Sequence, residues 1–485
     1  MPLPAFSDVL LQAIIPILNY LSDMRTDGTY LLGALNVYIG VRSTFLVSSL
    51  QNLHASTIEF TTARSTSSAS LDEALEIGYL RGMAGYETLF AATYELGNNE
   101  LQKATQVISS IDPLPPAEIS QSTIAIVAPP LAQLVSTSTS LAGTLTRSNT
   151  HPRTTKNLAT LSFHLGMVFD FVGTLSQYLP LVAKAFTAGD AAGTYQQKSK
   201  TDGSLRELKA VERTQHRQLC TACFRQIIDT LRNAPAKYAD AEGTASTMVH
   251  DISYDGLRVM LQIWEYRRFV CGPVLKSMGA GNWMQAPGNA APQLDVSIAA
   301  VDGDHRAEEE EQHRTLIAYL NDVLATMLSA LEARSKSIRQ ASTASIFLLN
   351  NVGFLKRELG SHAALENPED GSAQSMIEVM GIDCADMLEG TLKMAGQAYL
   401  DAWSPCVSAL MEDVPLNAGA HHTSASKANK LASAMGAHSS DKNVVKDRLA
   451  TFYEALDEMA QLHRAYPLSQ EDVELKAKLL RDVSR

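Results

Sequence analysis

Aromatic residues make up only 6% of this 485-residue chain, which removes much of the material from which sheets are usually built. Period-two β-branched runs closed by Asn-Gly or Asp-Gly turns are nearly absent as well, so strands are not expected in number. Cysteine is sparse: Cys220, Cys223, Cys271, Cys384 and Cys406 are odd in number and scattered, and no Asn-x-Ser/Thr sequon occurs. Both facts fit a reducing cytosol rather than secretion. Positive charge is in deficit, with 40 Lys and Arg against 52 Asp and Glu and a net charge of −12. Bulk nucleic-acid binding needs a positive field along the phosphates and is therefore not expected, although a local basic patch is compatible with this balance.

Catalytic signatures are missing too. There is no Gly-x-Ser-x-Gly elbow, no phosphate-cradling Gly-Lys-Ser/Thr loop and no His-Glu-x-x-His pair. Gly279 and Gly281 lack the third glycine and the preceding strand of a dinucleotide fingerprint. Cys220 and Cys223 have the spacing of a zinc or redox half-site, but no second ligand pair and no βαβ context accompany them, so they read as small hydrophobes on a helix. His421, His422 and His438 sit in a Ser/Ala-rich stretch without Cys, Asp or Glu at ligand spacing and read as solvated. The expectation is a non-enzyme with no cofactor and no metal. The apolar run from Val9 to Leu21 is interrupted by Pro16, lacks a basic flank and is too short to span a bilayer. It reads as a buried first helix.

What the chain does have is helical periodicity. Hydrophobic residues make up 45% and charged residues 19%, enough for a core in two to four packing units. From Val445 to Tyr466, apolar residues at Val445, Leu449, Phe452, Leu456, Met459 and Tyr466 fall alternately four and three apart, with His463 in the one slot that is not purely apolar. That stripe predicts a helix packed through one buried face. Leu205–Leu231, Thr247–Met278 and Glu308–Phe354 are the clearest other helical segments. Asp302 and Asp304 before Glu308–Glu311 suit a helix N-terminus electrostatically, without any metal. Breaks are expected at Thr61–Ser70, Ile111–Ala117, Pro129–Pro130, Thr187–Ser204, Gly279–Asp304, Gly360–Ala373 and Pro415–Asp441. The fold class expected is all-α: an elongated rod of stacked antiparallel helical bundles, divided into residues 1–195, 196–365 and 366–485.

Two basic stretches are candidate binding surfaces. Arg206, Lys209, Arg213 and Arg217 recur three and four apart, giving one cationic helix edge interrupted by Glu207 and Glu212. Nearer the C-terminus, Lys427, Lys430, Lys442, Lys446 and Arg448 outnumber Asp441 and Asp447 and suit weak attraction to an anionic leaflet. An ordinary solvated helix face is the alternative for either patch.

Several segments carry a family resemblance. Ile346–Asn351 (IFLLNN), followed by Phe354, Leu355 and Lys356, resembles a helix of the 70-kDa subunit of the exocyst complex. Tyr399–Trp403 (YLDAW) looks like another segment of that family, as do Lys446–Arg448 with Phe452, Glu454, Leu456, Asp457 and Glu458. Val37, Tyr38 and Arg42 with Ser48–Leu53, and Gly281–Trp283 with Leu294–Val296, are similar to fungal stretches of it. The resemblance implies a rod of helical bundles in a complex that attaches secretory vesicles to the plasma membrane. The implied partners are other exocyst subunits, Rho-family GTPases and phosphatidylinositol 4,5-bisphosphate, without catalysis. The implied location is cytoplasmic and peripheral at the plasma membrane at sites of polarised secretion, such as a bud or hyphal tip or a bud neck. Against the family pattern, the chain is expected to lack the N-terminal coiled coil and the last C-terminal segment with its basic lipid-contact motif. Pro405 is unusual and should kink or restart its helix. A generic α-helical solenoid adaptor with no membrane role is the rival reading.

Overall fold

The computed structural model describes residues 8–23, 29–62, 71–111, 116–149, 158–187, 200–238, 247–284, 305–366, 373–411 and 433–468, together with residues 476, 477, 479 and 481. Helices dominate, as expected. In chain order they are α1 (Asp8–Asp23), α2 (Thr29–Thr62), α3 (Leu71–Ser109), α4 (Pro116–Asn149), α5 (Leu158–Thr187), α6 (Lys200–Tyr238), α7 (Asp251–Glu265), α8 (Gly272–Met278), α9 (His305–Lys336), α10 (Ala341–Ser361), α11 (Met376–Met380), α12 (Ile382–Asp401), α13 (Ser404–Met411) and α14 (Ser433–Ala465). Among the described residues the strands are limited to one antiparallel hairpin, β1 (Ala363–Glu366) with β2 (Ala373–Ser375). The hairpin overlaps the expected break at Gly360–Ala373 and feeds α11 through a reciprocal capping box between Ser375 and Glu378.

The chain divides into two compact units, Met1–Ile227 with Leu261–Tyr319, and Ile228–Met260 with Leu320–Arg485. In the first unit, neighbouring helices run antiparallel. Arg42 and Thr57 of α2 meet Glu100 and Gly85 of α3 in reversed order. Ser138 and Val127 of α4 lie against Tyr86 and Gly97 of α3, again reversed. Tyr86, Phe90 and Gly97 of α3 meet Phe171, Tyr178 and Phe186 of α5 in the same order, so those two helices are parallel. The alternation follows from short connections and one apolar stripe per helix. The core includes the fully buried Tyr86, Phe90, Phe169, Phe171 and Phe224.

In the second unit, α10 and α12 are antiparallel. Lys356 reaches Glu389 at 2.9 Å at one end of the pair, and Ile346 and Leu349 pack with Ala395 and Tyr399 at the other. The helix stops at Asp401 and restarts at Ser404, immediately before Pro405. Proline has no N–H and suits a first turn, so this restart follows its chemistry.

Four segments differ from the sequence reading. Pro129 and Pro130 lie inside α4 rather than between helices, because Ile126, Val127, Leu131 and Leu134 are all buried and hold the segment in place despite the missing donors. Pro16 lies inside α1, a helix where one was expected, but that helix is not the buried one expected: among its described side chains Leu18 is buried and packs with Leu31, Leu35 and Ile108, while Ile17 and Tyr20 are exposed. Thr247–Met278 is not one helix: a π-helical turn, Arg267–Cys271, separates α7 from α8. Tyr266 O accepts from Cys271 N at 3.1 Å there, and a Cβ on Gly272 would stand 2.8 Å from Arg267 O, so only glycine fits that closure. Glu308–Phe354 is interrupted at residues 337–340, where Ser337 Oγ donates to Arg334 O at 2.6 Å and ends α9.

Among the described residues, three helical stretches are long and apolar enough to cross a membrane by length and composition, Tyr30–Ile58, His164–Phe186 and Arg306–Lys336. Each instead carries polar groups satisfied inside a bundle: Arg42 with Glu100, Asp170 accepting from Tyr266, and Tyr319 donating to Phe224 O at 2.8 Å. We read all three as bundle helices.

Candidate partner and membrane surfaces

The cationic residues of the C-terminal candidate patch are only partly visible. Lys427 and Lys430 lie outside the described residues, and Lys442 falls on α14 with its side chain outside the description. Lys446 is exposed and Arg448 half-buried, two positions apart on α14. The stripe beneath them departs from expectation. Val445 is 55% exposed, Leu449 43% and Leu456 37%, while Met459 and Leu462 are buried. Only the C-terminal half of the seam is therefore packed among the described residues. It closes on the cluster of Ile346, Leu349, Ala395, Tyr399 and Leu479.

On α6, Arg206 and Arg213 are exposed, Lys209 is half-buried, and the side chain of Arg217 lies outside the description. Glu212 sits between them, half-buried, accepting from Ser176 Oγ of α5 at 3.3 Å. Burial raises its carboxyl pKa, while the Ser176 hydrogen bond and then Arg213 and Lys209 pull it back down. Part of the cationic edge is thus spent on its own carboxylate. The two candidate patches belong to different units.

The cysteine candidates resolve as core. Cys220, Cys223 and Cys271 are free and fully buried. Burial pushes the Cys223 thiol up to about 12 and the Cys220 and Cys271 thiols well up, so all three are neutral and poorly nucleophilic at neutral pH. No group of His, Cys, Asp or Glu able to hold a metal occurs among the described residues. His421 and His422 lie outside them, and the side chain of His438 does too.

Several of the resemblance-bearing residues are internal joints. Asn351 is completely buried. Its Oδ1 accepts from His250 N and from Ser253 Oγ, both at 2.7 Å. Its Nδ2 donates to Phe347 O at 2.8 Å and to Met248 O at 3.3 Å. Neighbouring Asn350 donates to Thr247 O at 2.7 Å and to Pro467 O at 3.2 Å. The two amides thus tie α10 to the entry of α7 and to the segment after α14, where straight aliphatic residues would leave those backbone groups orphaned. Tyr399 of the YLDAW segment bonds His463 Nε2 at 2.7 Å, and Trp403 stacks on the same imidazole at 5.9 Å. Burial lowers the His463 pKa, so the ring is neutral in this seam at neutral pH. Trp283 is buried, its carbonyl accepts from Arg225 Nε at 2.9 Å, and its ring meets Tyr319 edge-on at 5.2 Å. Arg42 forms a buried ion pair with Glu100, its Nε donating at 2.7 Å. Sequence reasoning missed these joints. The signal was a polar residue inside an apolar register, which His463 displayed and the Asn350–Asn351 pair displayed twice.

Comparison with known proteins closes the argument. A family model described as the Exo70 exocyst complex subunit, C-terminal, matches residues 84–485, and the chain belongs to that family. The Exocyst complex protein exo70 of Neurospora crassa is 24% identical over 201 residues, which cover 41% of this chain and 29% of that relative. The crystal structure of the S. cerevisiae exocyst component Exo70p covers all of this chain and 74% of its own, with 14% identity and a TM-score of 0.49. A second S. cerevisiae Exo70 structure, with additional residues, has the same coverage and identity and a TM-score of 0.46. The aligned region spans under a third of the curated relative.

Proposed function

We propose that this chain serves as an exocyst subunit that helps tether secretory vesicles to the plasma membrane, acting by binding rather than catalysis. Its partners would be other exocyst subunits, Rho-family GTPases and phosphatidylinositol 4,5-bisphosphate, and its place the cytoplasmic face of the plasma membrane at sites of polarised secretion. The observation that carries this reading is membership of the Exo70 family over residues 84–485. The membrane contribution is assigned to the cationic stretch containing Lys427, Lys430, Lys442, Lys446 and Arg448, with the Arg206–Arg217 edge as the second candidate.

Binding through this stretch should be weak and salt-sensitive. The charges at Lys446 and Arg448 stand among Asp447, Glu454, Asp457 and Glu458 on the same helix, and the whole chain carries −12. Attraction of exposed lysines to an anionic leaflet decays within a Debye length, about 8 Å at physiological salt, while the acidic remainder opposes tight adsorption. The test is cosedimentation with vesicles containing or lacking phosphatidylinositol 4,5-bisphosphate, at low and at physiological salt. Lipid-dependent binding that fades as salt rises is expected. Equal recovery with both vesicle types would remove the membrane role and leave a helical adaptor.

A further inference from the structure

Residues 333–357 contain five cations, Arg334, Lys336, Arg339, Lys356 and Arg357, and no carboxylate, in a chain that carries −12. No other stretch between two acidic residues holds more than three. The five divide by position. Lys356 reaches Glu389 at 2.9 Å and Arg357 reaches Glu358 at 3.0 Å. Arg334, Lys336 and Arg339 gather instead at the turn between α9 and α10, where they form no ion pair among the described residues. Lys336 and Arg339 are exposed and Arg334 is half-buried.

One reachable hydroxyl stands among them. Ser337 is exposed, its Oγ donates to Arg334 O at 2.6 Å, and Arg334 Nη1 donates to that Oγ at 3.1 Å. The neighbouring hydroxyls are closed off, since Ser335, Ser342, Thr343 and Ser345 are all buried. Cations therefore stand three residues before Ser337, one before it and two after it. A kinase that reads positive side chains beside its target serine presents an acidic cleft to them, and charge complementarity of that kind selects this turn. Presenting Ser337 to the cleft requires the last turn of α9 to fray, and a helix end is where opening is easiest.

We propose that Ser337 is a phosphorylation site for a kinase selective for basic sequences, and that Arg334 holds the phosphate once it is made. In the step, Ser337 Oγ attacks the γ-phosphorus of ATP, the bond from that phosphorus to the β–γ bridging oxygen breaks, ADP leaves, and the serine proton passes to the catalytic base of the kinase. The product carries about −1.5 to −2 at neutral pH, which offsets most of the charge of Arg334, Lys336 and Arg339. An oxygen already 3.1 Å from Arg334 Nη1 becomes the ester oxygen of a charged phosphate, and hydrogen bonds to a charged acceptor are roughly twice as strong as neutral ones. The C-terminal dipole of α9 opposes a negative group at this point, so the guanidinium contact decides whether the phosphate is held. The turn stiffens as its positive field fades.

The full folded chain, incubated with Mg-ATP and the catalytic subunit of cyclic-AMP-dependent protein kinase, tests the site, with phosphate located by tandem mass spectrometry. Phosphate should enter Ser337 roughly tenfold faster than Thr451. Thr451 is also exposed, with Arg448 three residues before it, but it lies inside α14 between Asp447 and Glu454. Ser337→Ala should abolish the fast incorporation and melt like the parent, so a loss of folding cannot imitate the result. The second half of the proposal is read by phosphorus NMR on fully phosphorylated protein. The phosphate should titrate at a pH about half a unit lower in the folded chain than in the urea-unfolded chain, and Arg334→Gln should remove that difference. Phosphate that enters Ser337 only in the unfolded chain, or no faster than Thr451, overturns the site. Equal titration in the folded parent and in Arg334→Gln overturns the role of Arg334.

Discussion

The α2–α3 seam of the first unit and the α10–α12–α14 seam of the second solve one problem with different chemistry. The first buries a formal charge pair, Arg42 with Glu100, with the guanidinium also 5.0 Å from the Phe45 ring. The second keeps its ion pair, Lys356 with Glu389, at the surface and is joined inside by neutral groups: the Asn350 and Asn351 amides, and Tyr399 bonded to an imidazole whose pKa is lowered. A charge pair must be complete, since one partner left alone is a buried charge. A neutral network loses one hydrogen bond at a time. The contrast predicts that the two seams fail by different amounts and under different conditions.

The largest effect should come from cutting the charge pair in half. Glu100→Ala should lower unfolding free energy by about 3–5 kcal/mol, whereas Arg42→Met with Glu100→Leu should recover most of the loss. Urea denaturation of both variants checks this. If the single and double substitutions are equally damaging, the pair contributes packing rather than electrostatics.

The neutral seam should yield less. Asn351→Ala removes the amide that bonds His250 N, Ser253 Oγ and Met248 O and should cost about 1–3 kcal/mol, within reach of thermal melting. A loss matching that of Glu100→Ala would erase the distinction drawn here.

Acid should also separate neutral imidazoles from the ion pair. Burial holds the His54 pKa at about 4 and lowers those of His250, His313 and His463. The unfolded chain therefore binds more protons below about pH 6.5, and stability is lost as pH falls from there towards about 4. His54 alone should account for about 2–3 kcal/mol of that loss. Melting temperature measured across this window in the parent and in His54→Gln should show a flatter slope in the variant. Equal slopes would place the titration elsewhere.

The smallest effect is expected at Phe452. The stripe from Val445 suggested a fully buried face, in which a charge would be severely destabilising. Phe452 is half-buried with exposed Leu449 and Leu456 on either side, so Phe452→Asp should cost only about 1 kcal/mol. A loss several times larger would mean that the N-terminal half of the seam is covered in solution.

These cases mark how far the sequence could be read. Helical class was legible because 3.6-residue periodicity survives any arrangement of helices. Ends of helices were less so, since Ser337–Gln340 differs little in propensity from the helices flanking it. Pro129 and Pro130 misled because tertiary burial of Ile126 to Leu134 outweighed a local penalty. The joints at Asn350, Asn351 and Arg42 depend on partners 58 to 117 residues away in sequence, which spacing cannot supply. Exposure of Lys446 was readable from its register, but the exposed stripe beside it was not, because an apolar face records that a partner fits and not whether one is present.

The residues that hold the bundles are distinct from those proposed to meet the membrane, and one measurement tests that division most directly. Lys446→Ala with Arg448→Ala should lower recovery on phosphatidylinositol 4,5-bisphosphate vesicles at low salt while leaving the melting temperature within about 2 °C of the parent. Undiminished recovery would contradict the account and move the membrane surface away from α14.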